Sequence, residues 1–241
     1  MATVTPYNNS DSKKDQVASM FDNIAFRYDF LNSLLSLGIH KGWRKKCIAL
    51  ISKKHPKNIL DVATGTADFA ITALHLNPIK VIGIDISEGM MKFGREKIKK
   101  IKADDRINLI YGNAEICDLP DSSIDAITVG FGVRNFENLE KGLLNMHRIL
   151  KSGGQICILE FSTPRKFPFK NFYNFYFKYI TPTVGKFFSK DARAYEYLPE
   201  SIKVFPDNEN FLEILNSCGF INSRFESLNF GLAAIYLADK R

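Results

Sequence analysis

The segment LDVATGTADFA, residues 60–70, decides the fold of this chain. It starts as an apolar strand, passes through a turn of small residues around Gly65, and runs on into a stretch that can begin a helix. A strand, a small-residue turn and a helix in this order are typical of a loop that lets the backbone approach a nucleotide-like cofactor. Gly65 stands alone in the segment, whereas the dinucleotide fingerprint has three glycines. The loop therefore predicts a nucleotide-like cofactor without favouring a dinucleotide.

Short apolar runs alternate with helix-like segments on either side of this loop. The strand-like runs are NILDVA (58–63), KVIGIDI (80–86), INLIYG (107–112), IDAITVGF (124–131) and QICILEF (155–161), and the helix-like segments are 68–76, 88–100 and 139–150. Two more strand-like runs, 222–228 and 232–238, flank an Asn-Phe-Gly turn. This order predicts an α/β fold in which a mostly parallel, seven-stranded sheet carries helices on both faces and ends in an antiparallel pair.

We expect a single domain over residues 1–241. Its predicted parts are a loose tail (1–15), N-terminal helices (16–57), a cofactor-binding core (58–161), an insertion that covers the site (162–205), and a closing helix with antiparallel strands (206–241). The polar N-terminus lacks the apolar segment of a signal peptide, and the longest apolar run, 232–238, is too short to span a membrane. These features favour a cytoplasmic protein.

The carboxylates around the first loop distinguish two classes of cofactor. Asp85 follows Gly65 by 20 residues and ends the second strand, which is the spacing at which a carboxylate binds a ribose diol. NAD and S-adenosylmethionine both carry such a ribose. Asp61 and Asp68 flank the turn, where they would repel a pyrophosphate and offset the positive charges of S-adenosylmethionine. The loop therefore favours S-adenosylmethionine, and an NAD-dependent oxidoreductase is the first alternative.

The charge of the chain is unevenly distributed. Its formal net charge is +7, and residues 31–59 contain seven lysines and arginines but no acidic residue. Three interpretations remain open for this basic stretch: a solvated helix face, contact with anionic lipid, or contact with nucleic acid. The four cysteines are scattered without a CxxC pair, which favours reduced thiols and no metal site.

Aromatic residues are concentrated between residues 167 and 180. With helical spacing, six apolar side chains of this segment share one face: Phe169, Phe172, Tyr173, Tyr176, Phe177 and Ile180. The pattern predicts an amphipathic helix within the insertion. Its apolar face either packs on the domain or binds an apolar ligand or a bilayer.

The ordered set of motifs resembles the ubiquinone/menaquinone biosynthesis C-methyltransferase family, within the class I S-adenosylmethionine-dependent methyltransferases. The matching segments are FDNIAFRYDFLN (21–32), ILDVATGTADFA (59–70), GIDISEGMM (83–91), GNAE (112–115), DAITVGFGVRNF (125–136), LEFSTP (159–164) and AYEYLPESIKVFP (194–206). The resemblance implies a Rossmann-like fold and cofactor contacts at Thr66, Asp85, Asn113 and Ala114. Some members have a serine contact at the position of Gly130, and this chain departs from them there.

The resemblance also implies a reaction, the transfer of a methyl group from S-adenosylmethionine to a ring carbon of a prenylated quinol. Demethylmenaquinol is the first choice of acceptor, and a methoxy-benzoquinol of ubiquinone biosynthesis is the alternative. For catalysis we expect Asp68, Arg134 and Asn135, with Tyr28 as a further candidate. Arg134 would stabilise a developing phenolate or hold a water, and Asp68 would orient that water or cap its helix.

Several other expectations concern partners. The aromatic face would bind the prenyl tail or enter a bilayer, and the basic stretch suits an anionic membrane surface. A nucleic-acid methyltransferase is disfavoured, since no Pro-Pro-Tyr/Phe segment follows the fourth strand and there is no Pro-Cys nucleophile. A non-catalytic cofactor-binding module is disfavoured by the intact VRNF loop (133–136). The oligomeric state is left open, with a homodimer as one alternative.

Overall fold

The computed structural model describes residues 4–7, 9–181, 183, 191 and 193–241. The chain opens with two helices, α1 (Lys13–Leu35) and α2 (Ile39–Ile51). The backbone amide of Asp15 donates to the hydroxyl of Ser12, the N-cap of α1. Gly38, between the helices, has a φ of 76°, which a residue without Cβ adopts without strain. The break between the two helices therefore falls here.

Strands and helices then alternate along the chain. The central elements are β1 (Asn58–Val62), α3 (Asp68–Ala73), β2 (Lys80–Asp85), α4 (Glu88–Lys100), β3 (Ile107–Tyr111), β4 (Ile124–Gly130), α5 (Leu139–Ile149) and β5 (Leu150–Phe161). The later elements are α6 (Phe169–Phe175), which continues as a π-helical turn (Tyr176–Ile180), then α7 (Arg193–Val204), α8 (Glu209–Ser217), β6 (Ile221–Leu228) and β7 (Ala233–Asp239).

In the part of the chain that the structure describes, the strands form one seven-stranded sheet in the order β3-β2-β1-β4-β5-β7-β6. β7 runs antiparallel to β5 and β6, and the other neighbouring pairs are parallel. The predicted sheet and its closing antiparallel pair are thus confirmed. Because β1 lies between β2 and β4, the strand order reverses at the carboxyl end of β1, where open α/β sheets bind their ligands.

The sheet is covered on both faces because its central strands are apolar at successive positions. Leu60 and Val62 of β1 belong to one apolar cluster, together with residues of α5 and α8. Ile59, which points to the opposite face, packs with residues of α2, α3 and α4. This two-sided burial is what the apolar runs predict for a parallel sheet.

The N-terminal helix and α7 form a separate cover over the end of the sheet. Val17, Met20 and Leu31 of α1 pack against Tyr195 and Tyr197 of α7 in a third apolar cluster. Within the described ranges, no helix is both long enough and apolar enough to span a bilayer. Side chains of α1, α2, α6 and α7 line a cavity together with residues of the loop at the switch point.

Candidate active site

The loop between β1 and α3 takes its shape from left-handed backbone. Ala63, Gly65 and Ala67 have φ angles of 53°, 54° and 63°. Left-handed backbone is strained for any residue with a Cβ, so Gly65 adopts it freely, whereas Ala63 and Ala67 are held in it by the surrounding structure. The amide of Thr64 donates to the carbonyl of Ile84 on β2 at 3.1 Å, which ties the loop to the sheet. The small-residue pattern seen in the sequence therefore reflects the loop conformation.

Asp61 supports this loop from beneath. Its carboxylate accepts hydrogen bonds from the hydroxyls of Thr64 (2.6 Å) and Thr128 (2.8 Å) and from the amide of Ala70 (3.1 Å). Asp61 is 1% exposed, and burial raises its pKa to about 7 against the effect of these hydrogen bonds. It lines neither of the two cavities described below, so its role is to hold the loop.

A small cavity of about 70 Å³ lies beside the carboxyl ends of β2 and β3. Three of the residues predicted to bind the cofactor line it: Asp85, Asn113 and Ala114. The carboxylate of Asp85 accepts from the amides of Gly65 (2.7 Å) and Ser87 (2.9 Å), and burial raises the pKa of Asp85 to about 6. These bonds fix the carboxylate and leave each oxygen with further acceptor capacity for a ribose hydroxyl.

The lining of the small cavity suits the ribose part of an S-adenosylmethionine-type cofactor. A Cβ atom on Gly132 would lie 2.5 Å from the Cβ of Ala63, and one on Gly65 would lie 3.3 Å from the Cε of Met90. Glycine at these two positions lets the backbone pack closely against Ala63 and Met90 while both glycines line the cavity. The anchored carboxylate of Asp85 and the amide side chain of Asn113, which both line this cavity, suit a ribose-bearing group.

Thr66 lies apart from the other three predicted cofactor residues. Its hydroxyl donates to Asp29 Oδ1 at 2.6 Å and accepts from the ammonium of Lys97 at 2.8 Å. Thr66 lines a second, larger cavity. The structure thus brings together Asp85, Asn113 and Ala114, while Thr66 contacts α1 and α4.

The larger cavity has a volume of about 780 Å³ and meets the small one at the loop. Residues common to both linings are Phe21, Tyr28, Ala63, Gly65, Gly130 and Phe131. At its outer end the lining is apolar and exposed, and we call this part the apolar rim: Leu37, Ile39, Phe172, Phe175, Ile180 and Phe230. Leu37 is 87% exposed and Phe172 69% exposed, so the cavity opens to solvent between apolar side chains.

The aromatic helix forms one wall of the larger cavity. All six residues of its predicted apolar face line the cavity. The π-helical turn after Phe175 changes the helical spacing, and Phe175 itself also lines the cavity. The ring of Phe169 stacks on Phe230 with 3.8 Å between centroids, which joins the helix to the β6–β7 turn.

Asp68, predicted to orient a catalytic water, is held by two cations. Its carboxylate pairs with Arg44 at 2.9 Å and with Lys97 at 2.7 Å. Burial by itself would raise the pKa of Asp68, but Lys97 and Arg44 lower it below its usual value. The alternative role of helix capping is not observed, because Ala67 is the N-cap of α3 and the side-chain bonds of Asp68 go to these cations.

Arg134 lines the larger cavity as half of a buried ion pair. Its Nη1 lies 2.7 Å from Oε1 of Glu160, at the end of β5, and also donates to the carbonyl of Phe131. The two side chains are 7% and 0% exposed. Burial raises the pKa of Glu160, and the neighbouring Arg134 opposes that shift. Arg134 is therefore fixed in position, and Glu160 offsets its charge.

Asn135 lies on the other side of the same turn and lines the small cavity. Its Oδ1 accepts from the hydroxyl of Tyr197 on α7 at 3.1 Å. Tyr28 lines both cavities, and burial raises the pKa of its hydroxyl. The VRNF loop thus contributes Arg134 to the larger cavity and Asn135 and Phe136 to the small one, and Tyr28 lines both cavities.

Sequence reasoning missed several polar residues of the larger cavity and its surroundings. His40 and Arg44, four residues apart on α2, both line the cavity, although Arg44 was assigned only to the basic stretch. Lys97 and Glu160 provide the partners of Asp68 and Arg134. A usable signal was the spacing of His40 and Arg44, since residues at i and i+4 lie on one helix face.

Gly130 explains how this chain departs from relatives with serine at that position. A Cβ there would lie 2.8 Å from Cδ2 of Phe69, a buried side chain of α3. The ring of Phe69 thus occupies the space that a larger residue at position 130 would need.

Comparison with known proteins identifies the family. The sequence model of the ubiE/COQ5 methyltransferase family matches residues 9–240. A relative from Bacteroides fragilis named demethylmenaquinone methyltransferase is 48% identical, covering 98% of this chain and 97% of its own. A relative from Geobacter sulfurreducens named ubiquinone/menaquinone biosynthesis C-methyltransferase UbiE is 40% identical, covering 98% and 93%.

A solved structure supports the fold. A SAM-dependent methyltransferase from Thermotoga maritima, described as a possible histamine N-methyltransferase, has a TM-score of 0.60 and 18% identity, covering 93% of this chain and 99% of its own. At that identity the likeness concerns the fold alone. From the family match and the close relatives it follows that this chain belongs to the ubiE/COQ5 methyltransferase family, with S-adenosylmethionine as its methyl donor.

Proposed function

We propose that this protein methylates a ring carbon of a prenylated demethylmenaquinol and so forms menaquinol. The observation that carries the proposal is the larger cavity, which meets the cofactor cavity at Gly65 and Gly130 and opens through the apolar rim. An apolar cavity of about 780 Å³ suits a bicyclic ring at the junction, with its isoprenoid tail leading outward. The name of the Bacteroides relative supports this acceptor.

The cofactor, when bound, supplies a methyl group on a positively charged sulfur, which needs no further activation. The chain would hold it through the carboxylate of Asp85, which can accept from ribose hydroxyls, and through Asn113 and Ala114, which line the same cavity. Thr66 contributes through the loop that it anchors to Asp29. Binding two reactants at fixed positions can lower a barrier by about 7–11 kcal/mol in favourable cases.

For the acceptor, Arg134 and Asn135 are the proposed polar contacts near the junction of the cavities. Glu160 keeps Arg134 in one position, so the guanidinium can donate to a ring oxygen as negative charge develops there. Tyr197 likewise holds the amide of Asn135. Asp68 acts as a positioning residue that fixes Arg44 at the cavity wall, and Lys97 of α4 binds the same carboxylate.

The apolar rim is the proposed point of contact with a membrane. Each buried methylene of a tail contributes about 0.8 kcal/mol, and a tail longer than the cavity must continue into an apolar phase. Lys41 and Lys45 of α2 are exposed and follow the rim residue Ile39 by two and six positions. Exposed apolar side chains with nearby lysines suit peripheral contact with an anionic bilayer. A homodimer is a further proposal that size measurement in solution would decide.

A methoxy-benzoquinol of ubiquinone biosynthesis is the second candidate acceptor. The name of the Geobacter relative covers both pathways, and a single-ring acceptor also fits a cavity of about 780 Å³. The two candidates share the cofactor, the tail and the site, and they differ in the ring.

The deciding experiment follows a labelled methyl group from S-adenosylmethionine into prenylated acceptors in detergent. We expect label on carbon with the reduced demethylnaphthoquinol and none with its oxidised form, because the ring must be electron-rich. A faster reaction with the methoxy-benzoquinol would favour the second candidate. If S-adenosylmethionine binds but neither quinol is methylated, the proposal is wrong.

A further inference from the structure

His40 lies in the wall of the larger cavity and has no role in the proposed contacts described so far. It is located on α2 one turn before Arg44, is 6% exposed, and lines the cavity together with Asp68 and Thr66. A histidine buried at the wall of a substrate-sized cavity is a candidate for proton transfer.

A short chain of hydrogen bonds determines which ring nitrogen carries the proton. The hydroxyl of Ser36 donates to the carbonyl of Asn32 at 2.6 Å, and Nδ1 of His40 lies 2.5 Å from that same hydroxyl oxygen. A serine hydroxyl has one proton, and a carbonyl can only accept. The Ser36 oxygen must therefore accept from His40, which makes Nδ1 the donor and leaves the lone pair of a neutral ring on Nε2.

The Nε2 lone pair is available to a ligand. Within the described ranges, Ser36 is the hydrogen-bond partner recorded for the His40 side chain, and it uses Nδ1. The charged groups around the ring are Lys41 and Arg44 on α2, Asp29 on α1 and Asp68 on α3. Burial is the main cause that lowers the pKa of His40 to about 4, and the Arg44 guanidinium is the second. The ring is therefore neutral near pH 7.

The carboxylates at the cavity wall and behind it are already engaged, and Tyr28 is not a base at neutral pH. Asp29 pairs with Lys97 and accepts from Thr66, and Asp68 binds two cations. Glu160, which holds Arg134, is fully buried. Burial raises the pKa of the Tyr28 hydroxyl, which keeps it protonated. Compared with these four groups, His40 differs in being a neutral base whose Nε2 lone pair can accept a proton.

We infer that His40 is the proton acceptor of the methylation, with Nε2 taking the hydroxyl proton of the bound quinol. The inference rests on the proposed function and adds a catalytic residue to it. As the ring carbon bonds to the methyl carbon, the C–S bond breaks with its electron pair remaining on sulfur. The electron pair of the O–H bond forms the second bond between the ring carbon and that oxygen, which gives a ring carbonyl. The proton moves to Nε2. The ring carbon then loses its hydrogen to water as a proton, and the oxygen recovers a proton from His40, which restores the quinol.

A base of low pKa is sufficient for this step. The hydroxyl becomes strongly acidic as the ring carbon gives up its electron pair to the methyl group, so transfer to a neutral imidazole is downhill late in the reaction. A base placed in this way contributes typically about 10²–10⁴-fold to a rate.

The test compares His40→Gln with wild type, using reduced demethylnaphthoquinol with a short prenyl tail. We expect S-adenosylmethionine affinity and the KM for the quinol to stay within about threefold, while kcat falls about 100-fold or more. His75→Gln is the matched control, because His75 is exposed and outside both cavities, and it should keep the wild-type kcat.

A second variant distinguishes loss of the base from a structural disturbance of the cavity. His40→Ala leaves a space beside Ser36 that free imidazole can enter, and added imidazole should raise its kcat at least tenfold without affecting His75→Gln. A His40→Gln enzyme with kcat within threefold of wild type, or a His40→Ala enzyme that imidazole does not rescue, overturns the assignment. A wild-type enzyme that binds S-adenosylmethionine but methylates neither quinol overturns the proposed function itself, and this inference with it.

Discussion

At the residue scale, Asp85 shows how backbone donors prepare a side chain for a ligand. The amides of Gly65 and Ser87 hold both carboxylate oxygens, so little ordering remains when a ribose binds. The same burial that excludes water raises the pKa of Asp85 to about 6. The charge of this carboxylate is therefore sensitive to pH close to neutrality.

We predict that Asp85→Asn weakens S-adenosylmethionine binding about 10- to 100-fold, since hydrogen bonds to a charged group contribute about 1.5–3 kcal/mol. In wild type the affinity should fall as pH drops through about 6, because protonation removes the charged acceptor. Titration calorimetry between pH 5 and 8 measures both effects. Asp104→Asn, an exposed control, should bind as wild type does, and an unchanged pH profile in Asp85→Asn would contradict the prediction.

Gly130 shows how a neighbour in space limits the size of the side chain at one position. Gly130→Ser would place a Cβ 2.8 Å from the ring of Phe69, and overpacking of this kind costs about 1–3 kcal/mol. We expect urea denaturation to show that loss of unfolding free energy. Adding Phe69→Leu should recover part of it, so a double variant no more stable than Gly130→Ser would show that the ring is not the cause.

At the scale of elements, the ion pair of Arg134 and Glu160 joins the end of β5 to the turn after β4. The two residues are far apart in sequence. The pair should matter for stability because both side chains are buried. Breaking a buried pair leaves an uncompensated charge, whereas an exposed pair contributes little.

The chain offers a matched comparison of the two cases. We predict that Glu160→Gln lowers the free energy of unfolding by about 3–5 kcal/mol and also lowers methyl transfer. Glu226→Gln, which removes an exposed partner of Lys46, should cost less than about 1 kcal/mol. Denaturant unfolding of both variants is the measurement, and equal losses would mean that burial does not decide the effect.

At the scale of the whole molecule, the apolar rim is built from three separate parts of the chain. The α1–α2 region, the aromatic helix and the β6–β7 turn contribute Leu37, Phe172 and Phe230, which are all largely exposed. Clustered exposed apolar side chains at the mouth of a cavity indicate a binding surface rather than ordinary surface composition.

We predict that Phe172→Ser combined with Phe175→Ser reduces co-sedimentation with anionic vesicles several-fold. It should also raise the KM more for a long-tailed quinol than for a short-tailed one, since the rim contacts the outer tail. Ile79→Ser is the control, because Ile79 is 69% exposed and precedes β2, at the opposite end of that strand from the site. Equal vesicle binding by all three proteins would exclude the rim as a membrane contact.

The fold and part of the site follow from short-range pattern. Apolar runs of strand length and the small-residue turn around Gly65 depend on residues that are neighbours in sequence, so periodicity reveals them. Asp85 could be placed for the same reason, because it ends a recognisable strand at a fixed spacing from the loop. Helical spacing also predicts the aromatic face of 169–180. It does not predict the π-helical turn that follows Phe175.

The sequence alone determined the order of elements, the sheet and the cofactor loop, whereas the tertiary structure decided which polar groups meet. Asp68 binds Lys97 from α4, and Arg134 binds Glu160 from β5. Ser36 sets the tautomer of His40 within the bend that precedes α2. Such pairings depend on how separate elements pack. The charge of a carboxylate and the tautomer of a histidine depend on the groups that this packing brings next to them. For this reason the proton acceptor could be assigned only after the wall of the larger cavity was assembled.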